Sequence, residues 1–161
     1  MEAIGFTTGK SLDDADACVR FASDVPQPTG HDLRVAVQAV SVNPVDTKVR
    51  AGIKGVQQPP RILGWDAAGV VESAGDAVTL FRPGDRVFYA GDITRPGSNA
   101  THQLVDERIV GRMPATLDFT QAAALPLTSI TAWEALFTRL RIDPRVDAGK
   151  RLLIIGGAGG V

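Results

Sequence analysis

The 161-residue sequence contains one cysteine, Cys18, so no disulfide can close within the chain and a reducing compartment, the cytoplasm, is the expected setting. The start, Met1–Lys10, lacks the basic segment followed by an apolar run that marks a secretory signal. No stretch approaches the ~18 consecutive apolar residues a membrane span requires, so no membrane partner is expected. Charge of one sign is missing as well: 17 Lys and Arg stand against 18 Asp and Glu, a formal charge of −1. Without a basic excess to displace counterions, a nucleic-acid partner is disfavoured. The two histidines, His31 and His102, lie far apart and unrelated in spacing to Cys18, so they make no metal or nucleophilic-triad pattern. Internal repeats and low-complexity tracts are absent. What remains is an ordinary globular composition, 44% hydrophobic and 22% charged, in a chain long enough to bury a core unaided.

Residues 1–118 read as a β-rich body of short alternating segments. Val19–Ala22 and Leu33–Val40 alternate with period two and are rich in β-branched residues; the second lies between Pro26, Pro28 and Gly30 on one side and Pro44 on the other. Further strands are predicted at Ala67–Ser73, Arg86–Tyr89, His102–Val105 and Ile109–Arg112. Between them, Ala74-Gly75-Asp76, Pro83-Gly84-Asp85 and Pro96-Gly97-Ser98-Asn99 supply turn chemistry. Residues 119–150 turn helical. Phe119–Leu125 and Leu127–Leu140 are the segments, and Ile130, Trp133, Leu136, Phe137 and Leu140 form an apolar stripe at spacings of three and four. Asp118 or Thr120 is the expected cap of the first segment, Thr128 or Ser129 of the second. Residues 151–161 run from the apolar Leu152–Ile155 into the glycine cluster Gly156–Val161. A run apolar on both faces is the pattern of a buried parallel strand, which needs neighbours and crossover helices; the sequence therefore reads as a first domain and the opening of a second that is cut short.

Three stretches, Val42–Gly52 (VNPVDTKVRAG), Leu63–Glu72 (LGWDAAGVVE) and Gly75–Val87 (GDAVTLFRPGDRV), together resemble the medium-chain dehydrogenase/reductase superfamily in its quinone-oxidoreductase-like, zinc-type alcohol-dehydrogenase-like branch. The resemblance runs from Met1 to Val161. It implies a mainly β fold with helices (α+β): a GroES-like, partly open β-barrel forming the catalytic domain over 1–118. Connecting hinge helices over 119–150 and the first strand of a truncated Rossmann nucleotide-binding domain over 151–161 would follow. It implies NADPH as cofactor, a small-molecule quinone or carbonyl substrate in the cleft between the domains, and a homodimer of the full-length protein.

Zinc members of the superfamily place a Cys where this chain has Asn43 and a His where it has Trp65, and they build a structural zinc lobe from four close cysteines. An amide and an indole do not replace thiolate and imidazole at tetrahedral zinc, and the chain after Val87 contains no cysteine, so no zinc is expected. Without a Lewis acid, charge arising on a carbonyl oxygen must be met by donors or solvent, which suits quinones and α,β-unsaturated carbonyls better than simple ketones. The expected function is a zinc-independent NAD(P)H-dependent reductase, with the present span inactive alone. An alcohol-dehydrogenase-type reductase of simple carbonyls is one alternative. A stand-alone GroES-like binding module is another, disfavoured by a dinucleotide fingerprint that such a module would not use.

Among candidate site residues, Asn43 reads as a helix N-cap followed by Pro44 at the first helical position, and the resemblance also places it in the cleft beside nicotinamide and substrate. Asp46, near the helix start, is expected to be structural. Lys48 stands where relatives carry a Tyr over the active site, and is either a donor to substrate or a solvated helix lysine. Trp65 either walls the pocket or fills the core. Thr131 corresponds to a threonine near the nicotinamide, or bonds back to its own helix. Gly156, Gly159, Gly160 and Val161 would begin the pyrophosphate-binding turn. Tyr89 is a candidate donor or a half-buried strand tyrosine.

Overall fold

The computed structural model describes residues 1–9 and 17–157. Among the described residues, eight strands make two sheets. β1 (Glu2–Phe6), β2 (Cys18–Ala22) and β4 (Arg61–Ile62) form the smaller, in the order β2-β1-β4. The larger contains β3 (Asp32–Ser41), β5 (Asp66–Ala74), β6 (Arg86–Ala90), β7 (His102–Asp106) and β8 (Val110–Arg112), in the order β7-β3-β5-β6-β8. Every pairing is antiparallel. The sheets meet where Ala3 bridges Ala100 and where Ile4 N–H donates to the Asn99 carbonyl at 2.8 Å. This contact folds one sheet onto the other without closing them into a full barrel, matching the partly open barrel expected.

Alternation explains the larger sheet. On β3, Leu33 and Val35 point inward and are fully buried, and with Ala67, Val71, Val87, Tyr89 and Val105 they make the main core. β5 is buried on both faces, because Ala68 on its other side packs with Met113, Ala122 and Ala123 beneath the first of the C-terminal helices. Gly69 permits the closest approach in this sheet. A Cβ there would lie 2.3 Å from the Ala36 carbonyl oxygen of β3, beside a register shift between Val37 and Ala39. β1 and β4 carry too little hydrophobic pattern to stand out in the sequence: β1 buries Ala3 and Gly5, and β4 is two residues long.

The α-helices among the described residues are α1 (Pro44–Ala51), α2 (Phe119–Ala123) and α3 (Pro126–Trp133), the last continuing into a π-helical turn, Glu134–Arg139. Asp118 caps α2 through a reciprocal pair, accepting from Gln121 N–H at 2.8 Å while Gln121 Oε1 accepts from Asp118 N–H at 3.1 Å. The expected caps of the second segment, Thr128 and Ser129, are not caps. Pro126, preset for the first helical position, starts α3 earlier, and the Thr128 hydroxyl instead donates back to the Leu125 carbonyl at 3.0 Å. The stripe spaced for one helix is broken by the π turn and only partly covered: Leu136 and Phe137 are half-buried, while Ile130, Trp133 and Leu140 stay exposed, Trp133 at 65% and Leu140 at 62%. The strand expected at Leu152–Ile155 is not formed. These residues run without ladder partners and are 50% to 89% exposed, because a strand needs a neighbour and no described strand runs beside them. No helix of the described residues is long and apolar enough to cross a membrane.

Candidate functional site

The start of β5, the N-terminus of α1 and the N-terminus of α3 converge on one side chain, Asp66, which is completely buried. Asn43 Nδ2 donates to Asp66 Oδ2 at 2.8 Å, and Leu127 N–H donates to Asp66 Oδ1 at 2.9 Å. Burial drives the Asp66 carboxyl above the usual carboxylate range. The two hydrogen bonds oppose that shift and the nearby Asp46 charge adds to it.

Asn43 occupies the N-cap position of α1, with φ −122° and ψ 160°. Its N–H donates to Asp46 Oδ2 at 2.7 Å, and Asp46 N–H donates to the Asn43 carbonyl at 2.9 Å. The Asp46 carboxylate thus closes the helix start, as an acid near the positive end of the dipole should, while the Asn43 amide group reaches across to β5. Asp46 Oδ1 is buried without a hydrogen-bond partner.

Trp65 lies immediately before Asp66 and is 2% exposed. Its indole N–H donates to the Asp92 carbonyl at 3.0 Å, and its own carbonyl accepts from Gly91 N–H at 2.8 Å, so the ring is held as part of the packed interior. Lys48 projects from the exposed side of α1. Thr131 is exposed on α3 and its hydroxyl donates to the Leu127 carbonyl at 2.9 Å, one turn back. Gly156 sits in an exposed turn with φ +70°, a conformation suited to glycine, and has open space around the position of a Cβ. Gly159, Gly160 and Val161 lie outside the described residues. Asn43, Trp65 and the helix bearing Thr131 are therefore gathered around Asp66, whereas Gly156 belongs to the exposed C-terminal segment.

Asn43 and Trp65, where the resemblance would put zinc ligands, do not fit a metal. Asn43 offers at most a neutral amide oxygen, its Nδ2 being spent on a carboxylate, and an indole N–H is a donor with no lone pair to offer, so neither replaces thiolate or imidazole. Among the described residues, no group of three or more His, Cys, Asp or Glu is placed to hold a metal ion. Tyr89 belongs to the core: its hydroxyl donates to Gln103 Oε1 at 3.0 Å, Gln103 Nε2 donates to the Pro96 carbonyl at 3.1 Å, and burial pushes the phenol far above its ordinary value. His31 is structural, bonded through Nδ1 to the buried Glu107 at 2.8 Å. A cavity of about 660 Å³, walled by Phe21, Pro59, Arg61 and Thr94, is separate from the Asp66 cluster.

Asp66 is the residue that sequence reasoning passed over. Its signal was present: a carboxylate wedged between Trp65 and the run Ala67–Val71, where the pattern calls for an apolar residue.

The alcohol dehydrogenase GroES-like domain family matches residues 29–116. A zinc-type alcohol dehydrogenase-like protein of Staphylococcus epidermidis is 49% identical over 163 aligned residues, which cover 100% of this chain and 48% of that protein. A Rhizobium etli protein named as a zinc-dependent alcohol dehydrogenase superposes with a TM-score of 0.88 at 52% identity, over 99% of this chain and 47% of its own. Escherichia coli quinone oxidoreductase, solved in complex with NADPH, superposes with a TM-score of 0.71 at 25% identity, over 84% of this chain and 40% of its own. The chain spans about half the length of the curated relatives it matches.

Proposed function

The chain belongs to the alcohol dehydrogenase GroES-like family of the medium-chain dehydrogenase/reductase superfamily, and from that premise we propose that it supplies the substrate-side wall of a zinc-independent, NADPH-dependent reductase of quinones and other α,β-unsaturated carbonyls. In this reading residues 1–118 are the catalytic domain, 119–150 the connecting helices and 151–161 the entry to the nucleotide-binding domain. The 161-residue span does not turn over by itself. The observation that carries the proposal is the state of Asn43 and Trp65: the Asn43 Nδ2 and the Trp65 indole N–H are both committed to hydrogen bonds within the protein, and an amide and an indole supply neither thiolate nor imidazole for zinc. The likeness to an NADPH-bound quinone oxidoreductase supports the choice of coenzyme and substrate class.

When bound, the nicotinamide supplies the hydride. The protein's task is then to orient two planar groups and meet the charge that arises on the substrate oxygen. Asn43, fixed by Asp66 and by the helix start, forms the rigid side of the cleft. Lys48, on the same helix, offers an ammonium donor to the substrate oxygen. Trp65 excludes water from behind, and Thr131 on α3, its proton held by the Leu127 carbonyl, would present its hydroxyl oxygen as an acceptor on the nicotinamide side. A quinone spreads the incoming electron pair over its ring and second oxygen, so hydrogen-bond donors suffice where a simple ketone would need a Lewis acid. Solvent completes the reduction with a proton.

The test is oxidation of NADPH by the full-length protein with 1,4-benzoquinone and, separately, with a simple aliphatic ketone, each with and without a chelator. Quinone turnover unaffected by chelation and well above ketone turnover is expected. A rate lost on chelation and restored by zinc would overturn the metal-free reading, and a preference for the ketone would overturn the substrate class.

A further inference from the structure

We propose that Asp66 is a positioning residue that sets the substrate-side Asn43 and the coenzyme-side helix α3 relative to each other through one buried carboxylate. The inference rests on the reading above and goes beyond it, because Asp66 itself touches neither substrate nor coenzyme.

The argument begins with the first turn of α3. Backbone N–H groups there have no acceptor within the helix, and α3 carries no side-chain cap of its own. One of those donors, Leu127 N–H, is taken up by Asp66, 61 residues away in sequence. An anion at this place is also favoured by the partial positive charge at a helix start. The other carboxylate oxygen holds the Asn43 amide. A carboxylate is acceptor-only with two equivalent oxygens, so it can receive donors from both sides at once, which a neutral amide of the same shape cannot do. Thr131 completes the chain of contacts. Its hydroxyl is bonded to the carbonyl of Leu127, the same residue whose N–H Asp66 grips, about 6 Å further along the helix. A shift at Asp66 is therefore delivered to Asn43 and to Thr131 together.

A buried carboxylate is an expensive way to hold two donors. The neighbouring Asp46, whose Oδ1 is buried without a hydrogen-bond partner, adds a second negative charge close by, and burial favours the protonated form of Asp66. The arrangement is explained by the geometry it enforces.

The experiment uses the full-length protein and the variants Asp66→Asn, Thr131→Val and their combination, assayed for NADPH oxidation with 1,4-benzoquinone. Asp66→Asn keeps the size but leaves one of the two donors facing an amide NH2. The expected result is a rise of about tenfold or more in the KM for NADPH together with a lower kcat. In the combined variant the two effects are less than multiplicative, because they act through one chain of contacts. A merely structural role would lower kcat in proportion to the folded fraction and leave KM unchanged. KM values within twofold of wild type, or fully independent effects of the two substitutions, overturn the inference.

Amide hydrogen exchange in the wild-type protein provides a readout that does not depend on the variant folding. Leu127 N–H, although in the first turn of a helix, exchanges as slowly as the β5 amides if the clasp exists. Exchange as fast as an exposed amide overturns it. A wild-type protein that neither binds NADPH nor reduces the quinone overturns the proposed function. An active wild type with a kinetically unchanged Asp66→Asn variant overturns only the role assigned to Asp66.

Discussion

Replacing Tyr89 by Phe separates stability from catalysis at a residue whose sequence position admits either role. The change removes one oxygen and leaves the ring, so no cavity opens in the cluster with Leu33, Val35 and Val71. What is lost is the donor to Gln103 Oε1, an acceptor inside a side chain that is 3% exposed. An orphaned buried acceptor costs about 1–3 kcal/mol. For a protein in this size range that corresponds to a fall in Tm of roughly 2–12 °C. Gln103 remains held through Nε2 on the Pro96 carbonyl, so the damage stays local. Adding Gln103→Leu to Tyr89→Phe removes both halves of the bond, and the double variant should lose less than the sum of the singles. Thermal melting followed by near-UV circular dichroism measures the first effect, and NADPH-quinone turnover well below the transition measures the second. Turnover should remain at the wild-type level, because the hydroxyl is shut inside the sheet with its proton on Gln103 Oε1. A tenfold loss of turnover in a folded Tyr89→Phe protein, or a melting temperature indistinguishable from wild type, would refute this account.

Two further outcomes concern the frame around the site. Burial pushes the Glu107 carboxyl up, but hydrogen bonds from His31, Leu80 and Thr79 outweigh it and hold the group below its ordinary value. A carboxyl lowered on folding contributes stability that is complete above the ordinary glutamate range and disappears as pH falls through the folded value. Glu107→Gln should therefore flatten the acid side of the stability curve, and an unaltered slope in pH-dependent urea unfolding would count against the assignment. Gly69→Ala should destabilise by about 1–3 kcal/mol or prevent folding, since its Cβ would arrive 2.3 Å from a backbone oxygen that can retreat only by parting β3 from β5. A chemical-denaturation midpoint equal to that of wild type would contradict it.

The legible parts of the fold are those whose pattern is local. Leu33–Val40 alternates and is the inner part of β3, and Asn43-Pro44 marks the start of α1, as Asn-Pro at a helix start predicts. β1 was silent because its inward positions are Ala3 and Gly5, which carry almost no hydrophobic signal. The π turn was invisible for the opposite reason: spacings of three and four around Trp133 and Phe137 fit a regular helix equally well, and nothing in the residues themselves announces the wider winding. Leu152–Ile155 has the composition of a buried strand, yet a strand is completed by its neighbours, which no local pattern contains. The site divides in the same way. Asn43 and Trp65 stand out in the sequence because the resemblance puts metal ligands at their positions. Asp66 was missed because its partners lie 23 and 61 residues away, and only the folded chain brings them together.

The two tryptophans occupy opposite environments, Trp65 sealed behind the start of β5 and Trp133 open on α3 with its ring 4.4 Å from that of Phe137. The protein is in effect doubly labelled by nature. Emission from the shielded indole should be blue-shifted and deaf to aqueous quenchers such as iodide, while the exposed one emits further to the red and is readily quenched. Each can then be followed in the same cuvette, the inner fluorophore tracking whether the barrel has melted and the outer one announcing whenever anything settles against the helix that carries it.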